Sequence, residues 1–92
     1  MTFSTDVYGA HLNATGTAYA ATTRVKGYQV APGAAGTIVF RDGGASGTVR
    51  LELDTTVNTA IISTLIPGNG IRFFTDVHVT LPASTAITVF YG

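Results

Sequence analysis

Asp76 and His78 are the two residues whose types and spacing come closest to a metal site. They lie two positions apart, so on a β-strand both side chains point to the same face, within reach of one ion. Glu52 and Asp54 repeat this spacing in another segment. A metal ion needs three or four ligands that are themselves held by hydrogen bonds, and nothing in the sequence makes these two pairs converge. We interpret all four as solvent-facing polar residues and predict no metal site and no cofactor.

The sequence also offers no catalytic nucleophile together with its base. It contains no cysteine, none of its serines lies in a G-x-S-x-G elbow, and its one other histidine is His11. The glycine-rich stretches at residues 33–36 and 43–47 lack the Lys-Ser/Thr pair and the helix that a phosphate-binding loop requires. We therefore predict no catalytic residues and expect that the protein is not an enzyme.

The elements that position these residues are predicted to be β-strands, because Thr, Val, Ile, Phe and Tyr dominate them. Two segments, residues 48–54 and 76–81, alternate apolar and polar residues, which is typical of a strand with one buried face. The residues predicted to point inward are Val49, Leu51, Leu53, Val77, Val79 and Leu81. Those predicted to point outward are Arg50, Glu52, Asp54, Asp76, His78 and Thr80.

Glycine and proline divide the chain into short strands. We predict strands at residues 24–30, 37–40, 48–54, 60–66, 71–74, 76–81 and 87–91. Asp42-Gly43-Gly44 predicts a hairpin loop of about five residues between the second and third of these. Residues 1–23 leave two alternatives open, an extended arm or an edge strand, with candidate strands at 2–8 and 17–23. The sequence predicts one all-β domain, residues 1–92, an antiparallel jelly-roll-like β-sandwich of about six to eight strands without a helix.

The charge content indicates a surface that other chains cover. Only 11% of the 92 residues are charged and the net charge is zero, whereas about 25% is usual in soluble domains. The 46% of hydrophobic residues argues against disorder. Five scattered basic residues make no nucleic-acid-binding face, and we expect neither a secretory signal nor a membrane span. The alternative is a monomer whose many threonine hydroxyls solvate its strands.

Three pairs of adjacent large apolar residues indicate where such a covered surface lies. They are Ile61–Ile62, Phe73–Phe74 and Phe90–Tyr91. Adjacent strand residues point to opposite faces, so each pair sends one large side chain away from the core. We predict a homo-oligomer. The predicted subunit contacts are Ile62, Phe73, Phe74, Phe90 and Tyr91.

Four blocks of sequence resemble a known class of proteins. They are R-V-K-G-Y (residues 24–28), F-R-D-G-G-A-S-G-T-V (40–49), L-I-P-G-N-G-I-R-F (65–73) and V-F-Y-G (89–92). In this order they resemble small accessory virion proteins of tailed bacteriophages, notably those of marine and cyanobacterial hosts, over about residues 24–92. The resemblance implies a β-sandwich that decorates or cements a capsid, or that sits in a tail or fibre-base assembly.

The same resemblance implies the partners and the location. The protein would be made in the host cytoplasm and reside in the virion, contacting copies of itself, as a trimer, and the major capsid protein or other virion proteins. The charge balance and the short apolar runs, rather than the resemblance, predict that the protein has no nucleic-acid or membrane partner. The alternative function is a carbohydrate- or receptor-binding β-sandwich module. That alternative predicts exposed aromatic residues on loops or on one flat face, with polar groups beside them.

Overall fold

The computed structural model describes residues 7–56, 61–68 and 70–92, and in these ranges the chain forms nine β-strands and no helix. Within these ranges, no helix has the length and apolar character needed to span a membrane. The strands are β1 (Tyr8–Leu12), β2 (Gly16–Tyr19), β3 (Thr23–Ala31), β4 (Gly36–Asp42), β5 (Thr48–Thr55), β6 (Ile62–Leu65), β7 (Ile71–Phe73), β8 (Val77–Thr80) and β9 (Ala86–Tyr91).

The predicted all-β class is confirmed for the described residues, but the predicted number of about six to eight strands is too low. The segments predicted after residue 23 correspond to β3 through β9. The difference lies at the start of the chain, where β1 was not anticipated and β2 ends before the predicted segment 17–23 does. Both strands contain Gly and Ala, which give little apolar pattern to read. Most of the predicted arm or strand at residues 2–8 lies outside the described residues.

The strands form two antiparallel sheets. Sheet 1 has the order β1-β9-β3-β6, with β7 also pairing with β3, and sheet 2 has the order β2-β8-β4-β5. Strand β3 is long enough to pair with β6 through Gly27–Val30 and with β7 through Thr23–Val25. Apart from β4–β5 and β6–β7, each strand is followed along the chain by a strand of the other sheet.

The core lies between the two sheets, because both contribute its fully buried side chains. Sheet 1 provides Val25, Val30, Phe73, Ile87 and Val89, and sheet 2 provides Ile38, Phe40, Val77 and Val79. The prediction that Val77 and Val79 point inward is therefore confirmed.

In β5 the predicted alternation holds only in part. Leu51 and Leu53 pack against the core, but Val49 is 43% exposed. Consecutive β4 residues Phe40 and Arg41 pair with Leu51 and Val49, which leaves the intervening β5 residue as the extra residue of a bulge. The prediction that Val49 is buried is wrong, because this bulge ends the regular alternation.

The loop between β4 and β5 comprises residues 43–47, as the Asp-Gly-Gly sequence predicted. Gly43 and Gly44 have φ values of 109° and 81°, which residues other than glycine rarely adopt. The Gly47 N–H donates to the Gly44 carbonyl at 3.0 Å and closes the turn. This hairpin holds Asp42 at the end of β4, next to the segment that links β7 to β8.

Candidate functional site

The outer face of sheet 1 carries a row of apolar and glycine residues across the whole sheet. Gly9 pairs with Phe90, Phe90 with Gly27, and Gly27 with Leu65. Val89 is fully buried, so its neighbour Phe90 points away from the core. A Cβ placed on Gly9 would lie 3.8 Å from the Phe90 ring, and one on Gly27 would lie 3.3 Å from the Leu65 side chain. Both large side chains therefore lie over the glycines, and we call these four residues the apolar row.

The next outward row of sheet 1 is polar but carries no formal charge. It consists of His11, Thr88, Gln29 and Ser63, which pair in this order across β1, β9, β3 and β6. His11 Nδ1 and Thr88 Oγ1 lie 3.1 Å apart. Beside this row a groove of about 200 Å³ runs toward Ile61, which is 61% exposed. We call the two rows together the uncharged face, because neither contains Asp, Glu, Lys or Arg.

The outer face of sheet 2 is charged instead. Ile38 and Phe40 point into the core, so Arg41 on the same strand points outward. Glu52 and Asp54 of β5 are both exposed. Acidic and basic side chains are therefore interspersed on this face, as on an ordinary solvated protein surface. The two rows of the uncharged face therefore differ in charge from the outer face of sheet 2. The arginines of sheet 1, Arg24 and Arg72, lie beyond these rows, where β3 pairs with β7.

Asp42 is the buried polar centre at one end of the molecule. Its carboxylate accepts hydrogen bonds from the backbone N–H groups of Phe74 at 2.8 Å and Thr75 at 2.7 Å. The Arg50 guanidinium adds an ion pair of 3.1 Å to a carboxylate that is 3% exposed. Asp76 returns the contact, because its Oδ1 accepts from the N–H groups of Gly43 and Gly44, each at 3.0 Å. The two aspartates thus tie the β4–β5 loop to the β7–β8 segment.

These bonds favour the ionised form of Asp42. The hydrogen bond from the backbone N–H of Phe74 has the largest effect and lowers the pKa of Asp42. Together with the hydrogen bonds from Thr75, Arg50 and Asp76, it outweighs desolvation, which raises this pKa. Together they lower the pKa of Asp42 from 3.8 to about 2. The carboxylate is therefore charged at neutral pH and holds the start of the β7–β8 segment in place.

Phe74 projects from this anchored segment into solvent. Its backbone is fixed by Asp42, yet its side chain is 60% exposed. The guanidinium carbons of Arg50 and Arg72 lie 5.4 Å and 5.0 Å from the centre of its ring. These distances are within the range of cation–π contacts. The result is an exposed aromatic side chain with little freedom to move.

A cleft of about 500 Å³ lies beside Arg72. It is lined by Tyr8, Tyr19, Thr22, Thr23, Arg24, Arg72, Tyr91 and Gly92, and we call it the aromatic–arginine cleft. The Tyr19 and Tyr91 rings stack with centres 4.6 Å apart, and the Tyr8 and Tyr91 rings lie 5.7 Å apart. Tyr19 belongs to sheet 2 and the other two to sheet 1, so the cleft joins the two sheets.

The predicted subunit contacts are scattered over four environments. Phe73 has no exposed surface and belongs to the core, so it offers nothing to a partner, whereas Phe74 is 60% exposed. Phe90 lies on the apolar row. Tyr91 lines the aromatic–arginine cleft. Ile62 packs partly against the core, and its neighbour Ile61 is the exposed member of that pair.

The four candidate metal ligands of the sequence do not converge on one site. Glu52 and Asp54 lie on β5, an edge strand of sheet 2, whereas His78 lies on β8 on the other side of β4. Asp76 is not simply solvated, since it accepts two hydrogen bonds from the β4–β5 loop. Across residues 7–56, 61–68 and 70–92, no group of three or more His, Cys, Asp or Glu side chains is arranged to hold a metal ion.

Sequence reasoning missed both the Asp42 anchor and the cleft. The Asp-Gly-Gly motif signals a turn, and no local pattern shows that the aspartate binds a backbone more than 30 residues away. The cleft residues come from five separate strands and from loops. Two surfaces are therefore candidates for recognition, the uncharged face and the aromatic–arginine cleft. The chain matches no protein-family model, no curated protein and no solved structure.

Proposed function

We propose that this chain is a structural protein that assembles with copies of itself and with other proteins through the uncharged face of sheet 1. The observation that carries the proposal is the difference between the two rows of the uncharged face and the outer face of sheet 2. Charged side chains occupy the outer face of sheet 2, whereas the two rows of the uncharged face contain none.

Covering the uncharged face would cost little desolvation, because no ionised group has to leave water there. The centres of protein interfaces are likewise poor in charged residues and rich in aromatic ones. Leu65, which is 83% exposed, and Phe90 provide the apolar area. Burying such side chains contributes roughly 25 cal/mol for each Å² removed from water.

A second copy of the chain fits this face best. A face without charges offers no electrostatic complementarity to a charged partner, whereas two flat sheet faces pack well at a separation of about 10 Å. The preference for a trimer rests on the sequence resemblance alone.

The strand pairing supports the finer description of the fold as a jelly-roll sandwich. If β6 and β7 are taken as one interrupted strand, the chain has eight strand units. The first pairs with the last (β1–β9), the second with the seventh (β2–β8), the third with the sixth (β3 with β6 and β7) and the fourth with the fifth (β4–β5). A long hairpin rolled into two facing sheets has this pairing, which is that of a jelly roll.

Jelly rolls are common in viral capsids, although they also occur in lectins, so the fold alone does not assign a function. The sequence blocks that resemble phage accessory virion proteins favour a role in a virion over a role as a lectin. We therefore propose a protein that decorates or cements a capsid, or a tail or fibre-base assembly, and that binds the major capsid protein or another virion protein. It would stabilise the shell by binding only the assembled state. Catalysis is no part of this role.

The oligomeric state tests the proposed interface. Light scattering behind size exclusion at micromolar concentration should give a multiple of the 9.5 kDa chain mass for the wild type. Leu65→Lys should give a monomer, because it places a charge on the apolar row at an exposed position. Val49→Lys is the matched control, since it makes the same kind of change on the charged side of the molecule and should keep the wild-type mass. A monomeric wild type, or an equal effect of both substitutions, would contradict the proposal.

The virion assignment has its own test. A major capsid gene next to the gene for this chain, and the chain itself among the proteins of purified virions, would support it. A neighbouring lysin or sugar-processing operon, with no chain in the particles, would contradict it.

A further inference from the structure

The basic residues of the chain are scattered in the sequence but gather at one end of the folded molecule. This is the end that carries Asp42, and we call it the anchor end. Strands β3 and β5 begin there, and strands β4 and β7 end there. Each basic residue lies on one of these four strands, near the anchor end. The five are Arg24, Lys26, Arg41, Arg50 and Arg72.

The carboxylates at the anchor end are already engaged inside the molecule. Asp42 is 3% exposed and binds Arg50 and backbone N–H groups, and Asp76 accepts two hydrogen bonds from the β4–β5 loop. The exposed acidic residues in the part of the chain that the structure describes are Glu52 and Asp54, which lie farther along β5. A chain with no net charge therefore has one positive end.

Phe74 is the large apolar side chain exposed among these charges. The guanidinium carbons of Arg50 and Arg72 lie over its ring, at 5.4 Å and 5.0 Å from the ring centre. Arg24 pairs directly with Arg72 across β3 and β7. Both of these arginines point to the outer side of sheet 1, because their neighbours Val25 and Phe73 are buried. We call Arg24, Arg50, Arg72 and Phe74 the arginine–phenylalanine patch.

The composition of this patch is that of a protein interface. Arginine and aromatic residues are enriched where alanine substitutions weaken binding most. The Phe74 backbone is held by Asp42 at 2.8 Å and its ring by two arginines, so little freedom is left to lose on binding. Like charges directly opposite each other, as at Arg24 and Arg72, are destabilising. Carboxylates from outside would offset this repulsion.

We propose that the arginine–phenylalanine patch docks an acidic segment of another protein, with carboxylates near the arginines and an apolar side chain against Phe74. The proposal does not rest on assembly through the uncharged face, because the two rows of that face do not include the patch. Charge complementarity would speed the encounter and select against basic partners.

Two other occupants fit the patch less well. Nucleic-acid-binding domains are strongly basic, whereas the isoelectric point of this chain is about 6.7. A second copy offers the exposed carboxylates of Glu52 and Asp54, but Asp54 already accepts a hydrogen bond from Thr37 at 3.1 Å. Both occupants are distinguished by the experiments that follow.

The test is titration of the isotope-labelled protein with a short synthetic peptide of aspartate and glutamate around one central leucine. The comparison probes are the peptide with asparagine and glutamine in place of its acids, the acidic peptide with glycine in place of leucine, and a short DNA duplex. The acidic leucine peptide should shift the NMR amide signals of Phe74 and Thr75. It should bind at least about tenfold more tightly than the uncharged peptide, and more weakly as salt is added. Equal binding of these two peptides, or tighter binding of DNA, would overturn the proposal.

Three variants locate the contact, and the urea midpoint of each shows that it is folded. Arg72→Gln should weaken binding of the acidic leucine peptide by about tenfold. Arg41→Gln, which removes the same group from the outer face of sheet 2, is the control and should bind like the wild type. Phe74→Ala should weaken binding of the leucine peptide and leave the glycine peptide unaffected, because the two apolar groups are coupled. Equal losses in both arginine variants, or equal losses of both peptides in Phe74→Ala, would overturn the proposal.

A second background separates this proposal from the assembly role. Each titration is repeated in Leu65→Lys, so that an assembly that covers the patch cannot hide it. Absence of peptide binding in that background would overturn the proposal, whereas the assembly role is decided by the masses from light scattering. A salt-sensitive increase in the mass of the wild type that Glu52→Gln removes would assign the patch to a second copy, and would also overturn the proposal.

Discussion

Phe73 and Phe74 form a matched pair for testing the structure, because two identical adjacent residues have opposite environments. Phe73 has no exposed surface and lies in the core between the sheets, whereas Phe74 is 60% exposed. Replacing each in turn by alanine removes the same atoms from the same segment of chain. The difference in stability between the two variants therefore measures mainly the effect of burial.

The magnitudes follow from these environments. Phe73→Ala removes a fully buried ring and leaves a cavity, which costs about 3–5 kcal/mol of unfolding free energy. A domain of this length has only about 5–14 kcal/mol in total, so this variant should be close to unfolding. Phe74→Ala removes no core contact. It loses two cation–π contacts, from Arg50 and Arg72, each worth about 0.5–1 kcal/mol at an exposed site.

Urea titration followed by circular dichroism measures the difference. With a slope of about 1–1.5 kcal/mol/M for a small domain, Phe73→Ala should lower the midpoint by roughly 2–5 M, and Phe74→Ala by roughly 0.7–2 M. Titrations at two protein concentrations separate folding from assembly, since only an oligomer's midpoint depends on concentration. Equal midpoints for the two variants, or a larger loss for Phe74→Ala, would refute the assignment of Phe73 to the core.

Two further predictions concern the Asp42 anchor and the close packing of the loops. The lowered pKa of Asp42 means that the ionised form of this carboxyl group stabilises the fold. The stabilisation is complete above 3.8, the pKa of the group in the unfolded chain. It is lost as the pH falls from 3.8 toward about 2. Urea midpoints measured from pH 6 to pH 2 should therefore fall less steeply in Asp42→Asn than in the wild type, and parallel curves would contradict this. Gly33→Ala should destabilise by about 1–3 kcal/mol, because the added Cβ would overlap the Ser84 carbonyl oxygen. Gly9→Ala, whose Cβ would meet nothing closer than 3.7 Å, should melt like the wild type in thermal denaturation.

Much of the fold was readable from the sequence where strands bury one face. Residues 76–81 alternate, and the side chains of Val77 and Val79 are buried as that pattern predicts. The β4–β5 hairpin follows from its glycines, which tolerate positive φ. The pattern failed at Val49, because a bulge is set by the pairing of two strands and leaves no mark in the sequence of one. The alternation of large apolar and polar residues is also absent from β1, because two of its five residues are glycine and alanine.

The candidate surfaces were less accessible to sequence reasoning. Adjacent apolar residues correctly indicate that one side chain of a pair leaves the core, but not which one. Phe74 rather than Phe73, and Ile61 rather than Ile62, is the more exposed member. The uncharged face appears only when the strand order is known, because Gly9, Gly27 and Leu65 are far apart in the chain. The low overall charge of the chain indicates a surface with few charged residues, but it does not indicate which strands form that surface.

The rolled pairing of the strands has a consequence for the order in which the chain folds. Among the strands that pair with each other, only β4 and β5 are joined by a short loop, and each further pair encloses a longer stretch of chain, up to β1–β9. Closing longer loops costs more entropy, and folds dominated by such distant pairs form in milliseconds to seconds. We expect the β4–β5 hairpin to form first and the pairs to add outward from it. On the ribosome β1 then remains without its partner until β9 has been synthesised, so the nascent chain exposes a free strand edge while the strands between them are made.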